Sequence, residues 1–158
     1  MEIKLAYDDI DNIKELFTEY TDMLNRLDGD FGVYLSIQGY GDEYNSPGDK
    51  YGPPCGRLYI AYDGGQAAGC IALRRISGSD CEMKRLYVKP QFRRNGIAKA
   101  LVAQIIADAK AIGYTHMLLD TAQSLQHAIA LYERCGFYRI GPYNNSPVKN
   151  TVFMRYDL

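Results

Sequence analysis

Tryptophan is absent from this sequence, and His116 and His127 are its two histidines. Its four cysteines, Cys55, Cys70, Cys81 and Cys135, are scattered with no C-x-x-C pair. Without ligand spacing, neither a zinc finger nor a histidine metal centre can be built, and no metal is expected. Such cysteines fit reduced thiols in a cytoplasmic protein. No apolar run approaches the roughly 20 residues that a membrane helix needs, so no membrane partner is expected. The opening stretch M-E-I-K-L-A-Y-D-D is acidic and lacks the apolar centre of a signal peptide. The formal net charge is −1, so no global field draws in nucleic acid. There is no G-x-G-x-x-G turn, and the antiparallel run described below does not suit a doubly wound dinucleotide-binding sheet.

What is present is material for one domain. At 158 residues, 47% of them hydrophobic, the chain is long enough for a substantial core. We expect residues 1–158 to form a single domain without repeats. Ile3 to Ala6 reads as a first strand. Asp8 or Asp9 can cap a helix in which Ile10, Ile13, Leu16, Phe17, Tyr20 and Leu24 recur at helical spacing. That pattern fades at Asp28-Gly29-Asp30, and a weaker helical stretch runs from Phe31 to Gln38. Residues 39–56 are rich in turn residues and hold Tyr40, Tyr44 and Tyr51 with Asp42, Glu43 and Asp49. A long loop of aromatics and carboxylates is either a binding loop for a cationic amine or a solvated connector.

Leu58 to Tyr62 and Ala67 to Arg75 read as strands joined by a hairpin turn at Asp63-Gly64-Gly65-Gln66. Ser77 to Asp80 turns the chain into a fourth strand, Cys81 to Val88. Strict alternation there would put Met83, Arg85 and Tyr87 on one face and Glu82, Lys84, Leu86 and Val88 on the other. Lys89-Pro90 ends the strand, since proline has no N–H for a ladder. A basic turn, Gln91 to Asn95, leads to Gly96 and an amphipathic helix ending near Ile112-Gly113. His116 to Asp120 is a fifth strand, parallel to the fourth across the helical crossover. A helix follows, which Ser124 could cap, with Leu125, Ala128, Ile129, Tyr132 and Cys135 on one face and Gly136 at its end. Phe137 to Ile140 and Thr151 to Tyr156 complete seven strands around a polar loop, Gly141 to Asn150.

The strand, basic glycine turn and helix have a chemical use. Helix N-termini present unpaired N–H groups and partial positive charge, which together hold anions such as phosphate. Gly96 allows close approach of a ligand to the backbone, and Arg93 and Arg94 add charge at the mouth. An ordinary connection with solvated arginines would have the same composition.

The segment Arg93-Arg94-Asn95-Gly96-Ile97-Ala98 resembles the pyrophosphate motif of the GNAT superfamily, the acyl-CoA-dependent N-acetyltransferases. The matching positions are Arg93, Gly96 and Ala98. Leu86-Tyr87-Val88-Lys89-Pro90 is similar to the family's strand that pairs with pantetheine. Ala128 to Phe137 is similar to its later helix and exit. The resemblance implies an α+β, three-layer fold with a mixed, mostly antiparallel sheet. Helices would cover both faces, and acetyl-CoA would enter a splay between strands four and five. It further implies that Leu86, Tyr87 and Val88 meet pantetheine and that Arg93, Arg94, Asn95, Gly96, Ile97 and Ala98 hold the pyrophosphate.

On this resemblance, the expected reaction is direct attack of a primary amine on the thioester in a ternary complex. The acceptor would be a small molecule or a peptide, and a homodimer is compatible with this reading. Tyr132 matches the family's tyrosine and is the expected acid for the leaving thiolate. Glu82 is the expected base, directly or through water, with Asp120 and Tyr143 as alternates and an ion pair with Lys84 or Arg74 as the structural reading. Relatives often have Asn where this chain has Leu125, and glycine where it has Arg94. A sensor or partner module that binds acyl-CoA without turnover is the competing function.

Overall fold

A computed structural model describes residues 1–27, 30–37 and 39–158. The chain runs β1 (Glu2–Leu5), α1 (Ile10–Leu27), α2 (Asp30–Ile37), α3 (Tyr40–Asn45), α4 (Pro47–Tyr51), β2 (Arg57–Asp63), β3 (Gln66–Arg75) and β4 (Asp80–Val88). After one 3-10 turn at Pro90–Phe92 come α5 (Ile97–Ile112), β5 (His116–Ala122), α6 (Gln126–Cys135), β6 (Tyr138–Ile140) and β7 (Thr151–Asp157). The expected helix stops at Asp28-Gly29 and at Gln38 fall outside the described residues.

The seven strands form one sheet in the order β1-β2-β3-β4-β5-β7-β6. β1 to β4 are antiparallel neighbours, joined by the Gly64-Gly65 hairpin between β2 and β3, while β4 and β5 are parallel. A parallel pair needs a crossover, and α5 supplies it. The last strand, β7, inserts between β5 and β6 and pairs antiparallel with both.

Hydrophobic patterning sorts the helices onto two faces. Ile97, Leu101, Val102, Ile105 and Ala109 of α5 join Ile129 and Tyr132 of α6 over Cys81, Met83, Met117 and Leu119. On the opposite face, Ile13, Leu16 and Phe17 of α1 and Tyr51 of α4 pack on Leu58, Ile60, Cys70, Ala72 and Tyr87. Gly113 ends α5 at φ 102°, and its N–H bonds Ala109 and Lys110 carbonyls, a left-handed stop that glycine makes without strain.

Two expectations are corrected. The turn-rich segment 39–56 is not an open loop, because residues 40–51 fold into the two short helices α3 and α4. Its Tyr51 is fully buried, and Glu43 is 2% exposed. The strict alternation along β4 also fails. Cys70 pairs with Tyr87 but Ala72 pairs with Lys84, so β4 holds one extra residue there. This is a β-bulge, with Arg85 at φ 58°. The slip turns Arg85 and Tyr87 to the same face as Glu82 and Lys84, and groups Met83 with Leu86 and Val88.

The bulge has an identifiable anchor. Arg85, 3% exposed, donates from Nε to Glu43 Oε1 at 2.6 Å and from a terminal nitrogen to Oε2 at 2.9 Å. Its guanidinium lies over the Tyr40 and Tyr20 rings, at 5.3 and 5.8 Å from their centroids. Lys50 reaches the same carboxylate at 2.8 Å. Burial alone would raise the Glu43 carboxyl, but the hydrogen bonds and charges of Arg85 and Lys50 bring it down from 4.5 to about 2.

A depressed carboxyl stabilises the fold above its unfolded value and loses that contribution as pH falls through the folded value. We expect Glu43→Gln to lower stability by about 3 kcal/mol at pH 7. The gap from the parent should narrow between pH 4.5 and 2, the window set by the two values. Urea unfolding at several pH values measures both, and a pH-independent gap would contradict the linkage.

Candidate active site

The parallel pair is short. β4 and β5 are in register at Asp80 with His116, Cys81 with Met117 and Glu82 with Leu118, and among the described residues the pairing stops there. β4 continues to Val88 and β5 to Ala122. The bulge at Arg85 begins just beyond the last pair, so the strands part and leave a cleft of about 860 Å³. Strand peptides freed in this way can accept an extended ligand along one edge.

Leu86, Tyr87 and Val88 line the cleft on the β4 side, and Arg93, Arg94, Gly96, Ile97 and Ala98 line it at the entry to α5. Of the expected cofactor residues, Asn95 alone does not line it. Gly96 stands at φ 78°, the left-handed region, and caps α5 without a side-chain hydrogen bond. Arg94, at φ 67°, also takes the left-handed conformation that glycine adopts more readily. The Arg93 Nε donates to the Val88 carbonyl at 3.0 Å, which ties the turn to the end of β4. Lys89 secures the same end to Glu15 and Glu19 of α1, and the Tyr87 hydroxyl donates to Glu19 at 3.1 Å.

Tyr132 faces the same cleft from α6 and packs on Phe137, with ring centroids 5.9 Å apart. Its hydroxyl makes no hydrogen bond to a described residue. Burial, then the neighbouring Tyr20, Cys135 and Asp120, push that hydroxyl further above its ordinary range, so it remains a protonated donor at neutral pH. Ser124 does not cap α6: Leu125 occupies that position and contributes an apolar wall.

Glu82 stands elsewhere than expected. It is 1% exposed and does not line the cleft. Its Oε1 accepts from Arg74 Nε at 2.8 Å, and its Oε2 accepts from the Tyr143 hydroxyl at 2.7 Å. Burial would raise its carboxyl, but Lys84 and Arg74 and the Tyr143 bond outweigh that and hold it below the ordinary carboxylate range. Glu82 sits at the last β4–β5 pair, opposite Leu118, before the strands part, whereas Lys84 beyond it lies in the opening.

Lys84 and Asp120 do line the cleft. Asp120 accepts from the Tyr34 hydroxyl and from Asn144 Nδ2, the latter at 2.9 Å. Burial raises its carboxyl even against the Asn144 bond. Lys84 lies 3.6 Å from both Glu82 Oε1 and Asp120 Oδ1, and burial drives its amine down to about 7 despite Glu82. Sequence reading gave Lys84 no role beyond an ion pair. It also missed Tyr20, Phe31 and Tyr34, which line the cleft from α1 and α2. The one available signal was the apolar content of residues 31–35.

Residues 15–137 match the model of the Acetyltransferase (GNAT) family. An uncharacterised N-acetyltransferase of Schizosaccharomyces pombe is 40% identical over 152 residues, spanning 95% of this chain and 89% of that one. An acetyltransferase structure from Streptococcus agalactiae superposes with a TM-score of 0.79 at 21% identity, covering 99% of this chain and 98% of its own. An acetyltransferase of Bacillus subtilis, solved in complex with CoA, gives 0.57 at 26% identity over 65% of this chain and 77% of its own.

A Cβ at Gly96 would meet no atom within 4 Å, so only the backbone angle opposes a side chain there. Gly96→Ala should therefore cost about 1 kcal/mol, as left-handed residues do. Thermal unfolding measures this, and a cost of several kcal/mol would mean that the turn is confined in some further way.

Proposed function

The chain belongs to the GNAT acetyltransferase family, and from that premise we propose that it transfers an acetyl group from acetyl-CoA to a primary amine, by direct attack within a ternary complex. The observation that carries this reading is that the Gly96 turn and the Tyr132 hydroxyl share the cleft between the parted β4 and β5. Anion site and proton donor are then within reach of one extended molecule.

The residues divide the work by chemistry. The N–H groups opening α5 and the charge of Arg93 and Arg94 receive the pyrophosphate. The free edge of β4 from Leu86 to Val88 pairs with the pantetheine amides, and a backbone N–H there faces the oxygen on which charge develops. Asp120 accepts the proton of the attacking amine, the role its place on the cleft suits and that of Glu82 does not. Glu82 instead holds Arg74, Lys84 and Tyr143 in place. The Tyr132 hydroxyl delivers a proton to the departing thiolate. Attack forms the C–N bond, departure breaks the C–S bond, and the products are an amide and free CoA.

Steady-state kinetics with an amine panel test this. Tyr132→Phe should lower kcat by about 10²–10⁴-fold and leave acetyl-CoA affinity within about twofold. Unchanged turnover removes Tyr132 from the mechanism. Asp120→Asn should lower kcat by a similar factor and flatten the rise of kcat/KM with pH. Binding of acetyl-CoA with no turnover of any amine would favour a non-catalytic acyl-CoA-binding module.

A further inference from the structure

The cleft has a second compartment on the α1 and α2 side of the sheet. Leu24, Phe31, Tyr34 and Val148 form an apolar cluster of their own there, separate from the two main cores. At its base Lys84 of β4 faces Asp120 of β5 across the opening. The Lys84 ammonium is 5% exposed and lies over the Tyr34 ring, 5.9 Å from the centroid. Its two carboxylate neighbours are both at 3.6 Å, beyond hydrogen-bond length. No described residue accepts a hydrogen bond from it. A buried ammonium has three N–H donors, and leaving them unmet is costly. This one lines a cleft, where a ligand can meet them.

The charge balance limits what that ligand is. Arg74 and Lys84 offset Glu82 and Asp120 in one connected group. A lone ammonium added beside Asp120 would also stand beside Lys84 and leave a surplus positive charge in a buried place. A zwitterion adds none. The spacing is equally selective. The nitrogen and the nearer carboxylate oxygen of an α-amino acid are three covalent bonds and about 3 Å apart. Lys84 Nζ and Asp120 Oδ1 are separated by 3.6 Å.

Resting on the acetyl-transfer reading above, we propose that the acceptor is a free α-amino acid with an apolar or aromatic side chain. Its carboxylate meets Lys84, its amine lies at Asp120, and its side chain enters the apolar wall of Leu24, Phe31 and Leu35. A carboxylate on Lys84 also favours the charged amine against the burial that opposes it. Asp120 first takes a proton from the zwitterion's ammonium, and the freed amine then attacks the thioester carbon. The C–S bond breaks, Tyr132 protonates the departing sulfur, and the second N–H proton returns to the Tyr132 oxygen. The products are an N-acetyl amino acid and CoA. A peptide N-terminus carries no carboxylate beside its amine and would leave Lys84 unmet.

CoA release separates the possibilities. Phenylalanine and leucine are compared with 2-phenylethylamine and isoamylamine, which have the same side chains without the carboxylate. We expect kcat/KM for the amino acids to exceed that for the amines at least about tenfold, the value of one charged hydrogen bond. In Lys84→Met, KM for phenylalanine should rise about tenfold or more while KM for acetyl-CoA stays put, so the preference disappears. Calorimetric titration of phenylalanine and 2-phenylethylamine into the CoA-loaded parent reads the same preference without any variant. If the amines are used or bound as well as the amino acids, this inference falls and acetyl transfer stands. Turnover of neither amino acid overturns it as well. Failure to bind acetyl-CoA overturns both readings.

Discussion

The ion pair between Arg85 and Glu43 is the constraint on which the site depends. An antiparallel strand that continued in register would carry β4 flat against β5, and the parallel pairing would run on past Glu82. Instead one extra residue enters β4, and that residue is an arginine in the left-handed region. Non-glycine residues take that conformation only where surroundings hold them. The holding group is a buried carboxylate from α3, assisted by Lys50 and by two tyrosine rings. The short helices α3 and α4 thus act as a buttress behind the strand, and the cleft opens on the far side of the break.

The same economy of buried charge governs the cleft floor. Glu82, Lys84 and Asp120 come from two strands that part between them, and Arg74, Tyr143, Asn144 and Tyr34 complete their shells from β3, the 141–150 loop and α2. Each carboxylate is met by donors, which is the condition for tolerating it in the interior. The ordering of proton affinities follows from position. Glu82, which has Arg74 as well as Lys84 beside it, is pressed down, while Asp120, which shares Lys84 but is otherwise bonded by the neutral Tyr34 and Asn144, is raised by burial. Two carboxyl groups on neighbouring strands are in this way pushed apart, and only the raised one faces the cleft.

Much of the fold was legible from local pattern. The hairpin at Gly64-Gly65, the proline after β4, the left-handed glycines at 96, 113 and 136 and the α5 stripe are all short-range signals, and each strand falls within a few residues of its expected place. The cleft residues at the entry to α5 were legible through the Arg93 to Ala98 turn and its resemblance to a known motif. What parity could not foresee was the bulge, since a single inserted residue reverses every later side chain and leaves no mark on composition. Glu82 lies outside the lining because it belongs to the last paired rung of β4 and β5, and the point at which two parallel strands part is not written in local pattern. Glu43 was illegible for a different one: its partner lies 42 positions away, and a carboxylate amid turn residues gives no sign that it will be buried.

The departures from the family pattern fit this physical account. Arg94 takes a left-handed angle at the position of the resembled motif's optional glycine, and accepts strain of about 1 kcal/mol with its guanidinium at the mouth of the cleft. Leu125, where the resemblance implies an asparagine, packs against Ala122 and Val148 in the apolar cluster that includes Phe31 and Tyr34. A polar side chain there would face that cluster and need a partner. Leucine lets the apolar wall continue from α2 across the end of β5 to α6. The first places a second positive charge at the proposed anion end of the cleft, and the second makes its other compartment more apolar. Both act on binding, and neither touches the Tyr132 hydroxyl or the Asp120 carboxylate on which the proposed proton transfers rest.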